Sequence, residues 1–126
     1  MAEAMMAREH AVAPYSRFAV GAALLTGDGT IVRGANVESV SYGLTCCAER
    51  VALFKALTEG HRAVVALAVV ARLEGGPMPC GACRQLLIEY APRARVFVSD
   101  AARPERIREF KVASLLPGAF QAFTSE

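Results

Sequence analysis

Blocks of apolar and polar positions along the chain predict alternating helices and strands, beginning with one helix and a hairpin. Residues 3–12 place Ala, Met and charged side chains at helical spacing, and the segment stops before Ala13-Pro14, because the residue before a proline avoids the α conformation. Two apolar stretches, 18–26 and 30–38, flank Gly27-Asp28-Gly29. Since glycines supply the positive φ angles of a tight turn, we expect two antiparallel strands there.

The middle of the chain predicts a helix followed by a buried strand. Residues 46–59 have helical spacing, with Thr45 as a candidate N-cap and Gly60 just beyond the end. The apolar residues expected on one side of this helix are Val51, Phe54 and Leu57. Residues 62–72 are Val-rich and almost continuously apolar, which is typical of a central strand covered on both faces.

The last third predicts a second core helix and two more strands. Residues 80–90 form the helix, with Pro79 at its first position, where a missing N–H costs nothing. Residues 94–99 and 106–111 predict strands that pair antiparallel, because too few residues separate them for a parallel crossover. The order of elements predicts an α/β fold, a three-layer α/β/α sandwich with a mixed five-stranded sheet, in one domain spanning 1–126.

Composition and charge exclude several classes of function. The 126 residues are 54% hydrophobic and 21% charged, which provides a well-filled core. Fourteen Lys and Arg against twelve Asp and Glu leave a net charge of +2 without charge runs, so we expect no nucleic-acid partner. No apolar run approaches the roughly 20 residues of a membrane helix, so we expect no membrane partner and a cytoplasmic protein.

Three of the four cysteines have the spacing of a metal site. Cys80 and Cys83 lie three apart at a helix start, so their thiols share one face and suit two corners of a zinc tetrahedron. A redox pair and two buried small side chains are the alternatives for this motif alone. Cys47 adds a third thiol at another helix start, where the helix dipole favours the thiolate. Cys46 points about 100° away from its neighbour and is interpreted as a packed thiol.

The residues after Cys47 favour a catalytic zinc over a structural one. Three protein ligands leave the fourth zinc position for water, and a nearby carboxylate such as Glu49 then serves to move protons. A solvated acid at a helix start is the alternative for Glu49, and a structural zinc stays open as a lesser alternative. Arg50 is expected to donate to the thiolates and offset their negative charge, unless it is a surface arginine, and Gln85 is a further donor near the cluster.

These motifs together resemble one family. The segments Cys47-Ala48-Glu49-Arg50 and 79–85, PCGACRQ, resemble the small homotetrameric cytidine deaminases and carry the zinc-deaminase signature, with a Glu that is not a ligand ahead of PCxxC. Residues 13–25, 34–50 and 115–120 extend the resemblance over almost the whole chain.

The resemblance implies the activity and a role for each site residue. It implies zinc-dependent hydrolytic deamination of cytidine and 2′-deoxycytidine in pyrimidine salvage, with one Zn²⁺ per subunit, Glu49 as the proton shuttle and a homotetramer with shared active sites. Phe18 is expected against the pyrimidine, and Asn36 and Glu38 at the ribose hydroxyl. The implied zinc ligands are Cys47, Cys80 and Cys83, and the implied substrate-binding residues are Phe18, Asn36, Glu38, Ala48 and Phe120, the last from a neighbouring subunit.

Three other functions share part of this pattern. Deaminases of blasticidin S share the CAE and PCxxC pieces, but Asn36-Val37-Glu38 suits the ribose of an ordinary nucleoside. Deaminases of tRNA or polynucleotides commonly have His at the position of Cys47 and need a basic surface, which the balanced charge does not provide. A zinc-stabilised binding module leaves Glu49 without a purpose.

Overall fold

A computed structural model of the chain describes residues 1–120, and the predicted domain span of 1–126 therefore extends beyond the described residues. Residues 1–120 form three α-helices, which are α1 (Ala2–Arg8), α2 (Ala48–Thr58) and α3 (Gly81–Tyr90). The strands are β1 (Val20–Thr26), β2 (Ile31–Ala35), β3 (Val64–Ala71), β4 (Arg95–Asp100) and β5 (Arg103–Lys111). Two short 3₁₀ helices cover Tyr42–Leu44 and Val112–Ser114.

The five strands form one mixed sheet in the order β2-β1-β3-β4-β5. The β1–β2, β1–β3 and β4–β5 pairs are antiparallel, and β3 and β4 are parallel. The prediction that β3 is the central strand is confirmed, and so is the antiparallel pairing of the last two strands. Gly29, with φ of 90°, closes the predicted turn between β1 and β2.

Helices cover both faces of the sheet, which confirms the three-layer architecture. Alternate residues of β1 and β3, such as Leu24 and Val69, face α2 and α3 and form the main core, to which Leu53 and Leu87 contribute from the helices. The opposite face packs on α1, where Ala4 meets β-strand residues including Ala23 and Val70. Within residues 1–120, none of the helices is long and apolar enough to cross a membrane.

The predicted apolar side of α2 was wrong for Phe54, whereas Leu57 does pack against the core. Phe54 is 41% exposed, whereas the buried positions are small or lie elsewhere on the helix, namely Ala48, Ala52, Leu53 and Ala56. The reason is the close approach of α2 to β2: a Cβ placed on Gly34 would lie 2.5 Å from the carbonyl oxygen of Ala48. Alanines, rather than large side chains, fit between a helix and a strand at that distance.

Two predicted helix starts were also wrong, and several element bounds differ from the prediction; β5, for example, begins at Arg103 rather than at residue 106. Cys47 rather than Thr45 is the N-cap of α2, because the Thr45 hydroxyl instead accepts from the N–H of Ser39 at 3.0 Å. Cys80 is the N-cap of α3, so Pro79 precedes the helix instead of starting it. Strand β2 ends at Ala35 rather than at residue 38, and α1 ends at Arg8 rather than at residue 12.

Candidate functional site

The site lies where two helices begin at the same edge of the sheet. Strands β2 and β3 both run antiparallel to β1, so their carboxyl ends meet at one edge. The segment after β2 leads to the start of α2, and the segment after β3 leads to the start of α3. Cys47 and Cys80, the two N-caps, are thereby brought together although 33 residues separate them.

The three predicted thiols form a compact group that is able to hold one metal ion. The sulfur of Cys80 lies 3.8 Å from that of Cys47 and 3.4 Å from that of Cys83, and all three sulfurs lie within 4.8 Å of one another. Tetrahedral zinc with Zn–S bonds of about 2.3 Å separates its sulfurs by about 3.8 Å. The distances and the all-thiol donor set therefore fit zinc. Cys46 is a partly buried free thiol outside this group.

Electrostatics also favour a cation between these thiols. The pKa of Cys47 is lowered to about 5, first because the thiol of Cys83 hydrogen-bonds to it, and also because Arg50 does. The pKa of Cys83 is raised, first by that same hydrogen bond and then by burial. Without a cation, the thiols therefore do not all ionise together, because neighbouring negative charges repel one another in a partly buried site. A divalent cation removes this conflict, since it stabilises every thiolate it contacts.

Arg50 places a positive charge against the thiols. Its Nη2 donates to the sulfur of Cys47 at 3.4 Å and to the carbonyl oxygen of Thr45 at 3.2 Å. Arg50 reaches Cys47 because it lies one turn further along α2. Its contact with Thr45 fixes the guanidinium against the segment that precedes the helix. Arg50 is thus placed to withdraw negative charge from the cluster.

Glu49 is buried in the first turn of α2, two residues after Cys47. Only 6% of its surface is exposed, and burial raises the pKa of its carboxyl to about 7. A cation held by the thiols acts in the opposite direction, because positive charge favours the carboxylate. A carboxyl between these two influences is suited to take up and release a proton near neutral pH.

The residues expected at the sugar hold a neighbouring loop in the structure. Asn36 is 7% exposed; its Oδ1 accepts from the N–H of Val20 at 2.9 Å, and its Nδ2 donates to the carbonyl of Phe18 at 2.8 Å. Glu38 accepts from the N–H groups of Tyr15 and Ser16 and from the Ser16 hydroxyl. The two side chains thus fasten the segment that carries the Phe18 ring, which is 38% exposed.

A cleft is lined in part by Glu38. Its volume is about 330 Å³. The lining residues are Tyr15, Ser16, Glu38, Ser39, Tyr42 and Thr45. Thr45 connects this cleft to the thiol group, because its carbonyl accepts from Arg50, which also donates to the sulfur of Cys47.

The other residues predicted at the site, which are Ala48, Gln85 and Phe120, differ in their burial and in their contacts. Ala48 is fully buried, so any contact with a ligand falls to its main-chain atoms. Gln85 donates to Glu89 at 2.8 Å and to the carbonyl of Phe120, and in the described part of the chain its hydrogen bonds do not go to the thiols. The ring of Phe120 is 58% exposed.

Comparison with known proteins agrees with this arrangement. The family described as the cytidine and deoxycytidylate deaminase zinc-binding region matches residues 1–99, which include all three cysteines of the thiol group. The chain belongs to the cytidine and deoxycytidylate deaminase family. A cytidine deaminase of Halalkalibacterium halodurans is 56% identical over 121 residues, covering 95% of this chain and 90% of the relative.

Other members of the family match in sequence and in structure. A cytidine deaminase of Sporosarcina psychrophila is 51% identical over 120 residues, covering 95% of this chain and 88% of the relative. The crystal structure of cytidine deaminase from Burkholderia pseudomallei superposes with a TM-score of 0.90 at 48% identity, covering 94% of each chain.

Sequence reasoning about this deaminase-family site missed Ser16 and Tyr15. Both contact Glu38 across more than 20 residues of sequence, a pairing that no local pattern announces. The available signal was the polar pair Asn36 and Glu38, which follows directly after β2 where the main chain needs new partners.

Proposed function

We propose that this protein is a zinc-dependent deaminase that converts cytidine and 2′-deoxycytidine to uridine and 2′-deoxyuridine with release of ammonia. The observation that carries the proposal is the buried carboxyl of Glu49 beside a group of three thiols with zinc spacing. The identity to cytidine deaminases over most of the chain supports the same activity. A structural zinc site would have no use for a buried acid that is not a ligand.

The proposed chemistry assigns a separate task to each group. Cys47, Cys80 and Cys83 hold one zinc ion, which when bound supplies Lewis-acid chemistry that lowers the pKa of a water at its fourth position. Glu49 accepts a proton from the attacking water and passes it to N3 of the pyrimidine. The same carboxyl then carries the second proton to the departing amino group, so the water oxygen replaces the nitrogen at C4 and ammonia leaves.

The other residues bind and orient the substrate in this proposal. Phe18 lies against the pyrimidine, Glu38 and Asn36 take the ribose hydroxyl, and the main chain of Ala48 borders the ring. Arg50 supports the chemistry through Cys47, since a site with three thiolates and one Zn²⁺ carries an excess negative charge that weakens a Lewis acid. Gln85 makes none of these contacts and instead donates a hydrogen bond to the carbonyl of Phe120.

We also propose one domain over the whole chain and a homotetramer with shared sites. Val40, Tyr42 and Leu44 stand 78%, 86% and 75% exposed beside the cleft, which is unusual for apolar side chains unless a partner covers them. Phe120 of a neighbouring subunit completes the pocket in this arrangement. Sedimentation at micromolar concentration should give four times the chain mass, and a monomer with full activity would contradict shared sites.

The cellular role follows from the proposed substrate. A small-molecule nucleoside enzyme without a nucleic-acid or membrane partner belongs in the cytoplasm, where it serves pyrimidine salvage. The small net charge of +2 supports the absence of a polyanionic partner.

The test separates the proton shuttle from the metal site. Glu49→Gln should keep one zinc per chain and the Tm, and should lower the turnover of cytidine by at least about 100-fold, the usual worth of a general acid–base. The matched control is Glu59→Gln, an exposed glutamate at the end of the same helix, which should leave turnover unchanged. Normal turnover by Glu49→Gln would refute the mechanism, and turnover of blasticidin S alone would replace the substrate.

A further inference from the structure

The loop formed by residues 13–19 is fixed by two hydrogen bonds of its own, from the N–H of Arg17 to the carbonyl of Ala13 and from the N–H of Phe18 to the Ser16 hydroxyl, and by side chains from outside it. Arg17, in its middle, has a φ of 60°, a left-handed conformation that non-glycine residues rarely adopt. The loop is held in this shape by side chains from the segment after β2, because Asn36 binds Phe18 and Val20, and Glu38 binds Tyr15 and Ser16. We call residues 13–19 the Phe18 loop.

Ser16 connects the two sides of this arrangement through one hydroxyl. Its Oγ donates to Oε2 of Glu38 and accepts from the N–H of Phe18 at 3.0 Å. A serine hydroxyl has a single hydrogen to donate, and here that hydrogen is committed to Glu38. The hydroxyl therefore joins the carboxylate expected at the sugar to the main chain of the residue expected at the base.

The carboxylate of Glu38 depends on these donors for its orientation. Oε1 accepts two N–H groups, from Tyr15 at 3.1 Å and Ser16 at 3.0 Å, whereas Oε2 accepts the Ser16 hydroxyl. The ion pairs within residues 1–120 are Arg33–Glu3 and Arg95–Glu109, so no cation neutralises Glu38 in the described part of the chain. The pKa of Glu38 is lowered, first by the hydrogen bond from Ser16, which keeps the carboxyl ionised.

The two carboxylate oxygens of Glu38 differ in how much hydrogen-bond capacity they have left for a ligand. An ionised carboxylate offers about two acceptor sites on each oxygen. Both sites of Oε1 are filled by the loop, whereas Oε2 keeps one site beside the bond from Ser16. That remaining site is the one available to a hydroxyl of a ligand in the adjoining cleft.

We propose that Ser16 is a positioning residue for the sugar: its hydroxyl holds Oε2 of Glu38 in the orientation that accepts a ribose hydroxyl and ties this orientation to the position of Phe18. The proposal rests on the proposed deaminase function. It predicts an effect that depends on the sugar hydroxyls of the ligand, which a role in folding alone does not produce.

The experiment compares Ser16→Ala, Ser16→Thr and Ser114→Ala in the zinc-loaded protein. Ser114 serves as control because it is another exposed serine whose hydroxyl binds the main chain, at Lys111. Two ligands are used: cytidine, assayed for KM and kcat, and 2′,3′-dideoxycytidine, assayed as a competitor for its inhibition constant. Thermal melting of each variant shows whether it is folded.

The expected result is selective for cytidine. Ser16→Ala should raise the KM for cytidine roughly tenfold, the scale of one hydrogen bond to a charged group, with kcat within about threefold. The inhibition constant of 2′,3′-dideoxycytidine should stay within about twofold, because this ligand lacks the 2′ and 3′ hydroxyls that would donate to Glu38. Ser16→Thr, which keeps the hydroxyl, should have the KM of the unmodified protein. Ser114→Ala should change neither the KM for cytidine nor the inhibition constant of 2′,3′-dideoxycytidine.

Other outcomes overturn the proposal in distinguishable ways. An equal loss of affinity for both ligands, or an unchanged KM for cytidine, would show that Ser16 has no positioning role while leaving the deaminase function standing. An additive effect of Ser16→Ala in a Glu38→Gln background would show that Ser16 does not act through Glu38. No turnover of cytidine by the unmodified, zinc-loaded protein would overturn the proposed function itself and the role of Ser16 with it.

Discussion

Replacing Gly34 by alanine is expected to displace helix α2 and so to shift Cys47 relative to the other two thiols of the metal site. Gly34 lies in β2 directly beneath the helix, and a Cβ there would stand 2.5 Å from both the carbonyl oxygen of Ala48 and the main-chain nitrogen of Ala52. Ordinary contact begins at 3.4 Å. Because both contacting atoms belong to main chain, no side-chain rotation relieves them, and the helix must move by about 0.9 Å.

A movement of this size is expected to weaken both folding and zinc binding. Overpacking of this kind costs about 1–3 kcal/mol of unfolding free energy. Metal–ligand distances, in contrast, tolerate only about 0.2 Å, and Cys47 is carried on the first turn of the displaced helix while Cys80 and Cys83 are not. We therefore expect zinc affinity to fall by about 10–100-fold, the range seen when the surroundings of a metal ligand are altered.

The assay is zinc competition against a chromophoric chelator, together with thermal melting. The matched control is Gly43→Ala, since a Cβ on Gly43 meets nothing within 4 Å and its φ is not positive. Gly43→Ala should keep the zinc affinity and the Tm. Native zinc affinity in Gly34→Ala would refute the reasoning that the contact between β2 and α2 sets the position of Cys47.

Two further predictions concern the backbone and acid stability. Arg17→Gly should raise the unfolding free energy by about 0.5–1 kcal/mol, because glycine adopts the positive φ without the steric cost borne by Arg17. This net gain already subtracts the cost of the greater conformational freedom of glycine in the unfolded chain, and a lower Tm would contradict it. The pKa of Asp28 is lowered to about 2 by hydrogen bonds, first from the Thr26 hydroxyl, so ionised Asp28 stabilises the fold above its ordinary pKa of 3.8 and this contribution is lost as the pH falls toward 2. Asp28→Asn should therefore show a smaller loss of Tm between pH 4 and pH 2 than the unmodified protein, and parallel curves would contradict the assignment.

The architecture was predictable because it depends on local patterns. The apolar run over 62–72 predicted the central strand, and Gly27-Asp28-Gly29 predicted the turn between the first two strands; both predictions are confirmed. The thiol group was predictable for a similar reason, since Cys80 and Cys83 have metal-ligand spacing and Cys47 stands at a second helix start, and the resemblance joined the three.

The failures arise where tertiary contacts override local preference. Phe54 was placed in the core by its helical spacing, but the approach of Gly34 to Ala48 leaves room only for alanines on that face of α2. Thr45 is a good N-cap by residue type, but its hydroxyl binds Ser39 instead.

The contacts of the Phe18 loop were out of reach of the sequence for a different reason. They join residues 18 to 23 positions apart through single amide, hydroxyl and carboxylate groups, as between Ser16 and Glu38. Such contacts leave no periodic pattern, so the resemblance and the polar pair after β2 pointed to Glu38, but neither identified Ser16 as its partner.

The central claim is that three cysteines and Glu49 form a zinc-dependent deaminase site, and one measurement tests it most directly. The protein is stripped of metal, and the loss of cytidine absorbance is followed before and after addition of one equivalent of zinc. The account predicts no conversion by the stripped protein and conversion to uridine after zinc is added. Undiminished conversion without metal, or unchanged cytidine with the folded and zinc-loaded protein, would contradict it.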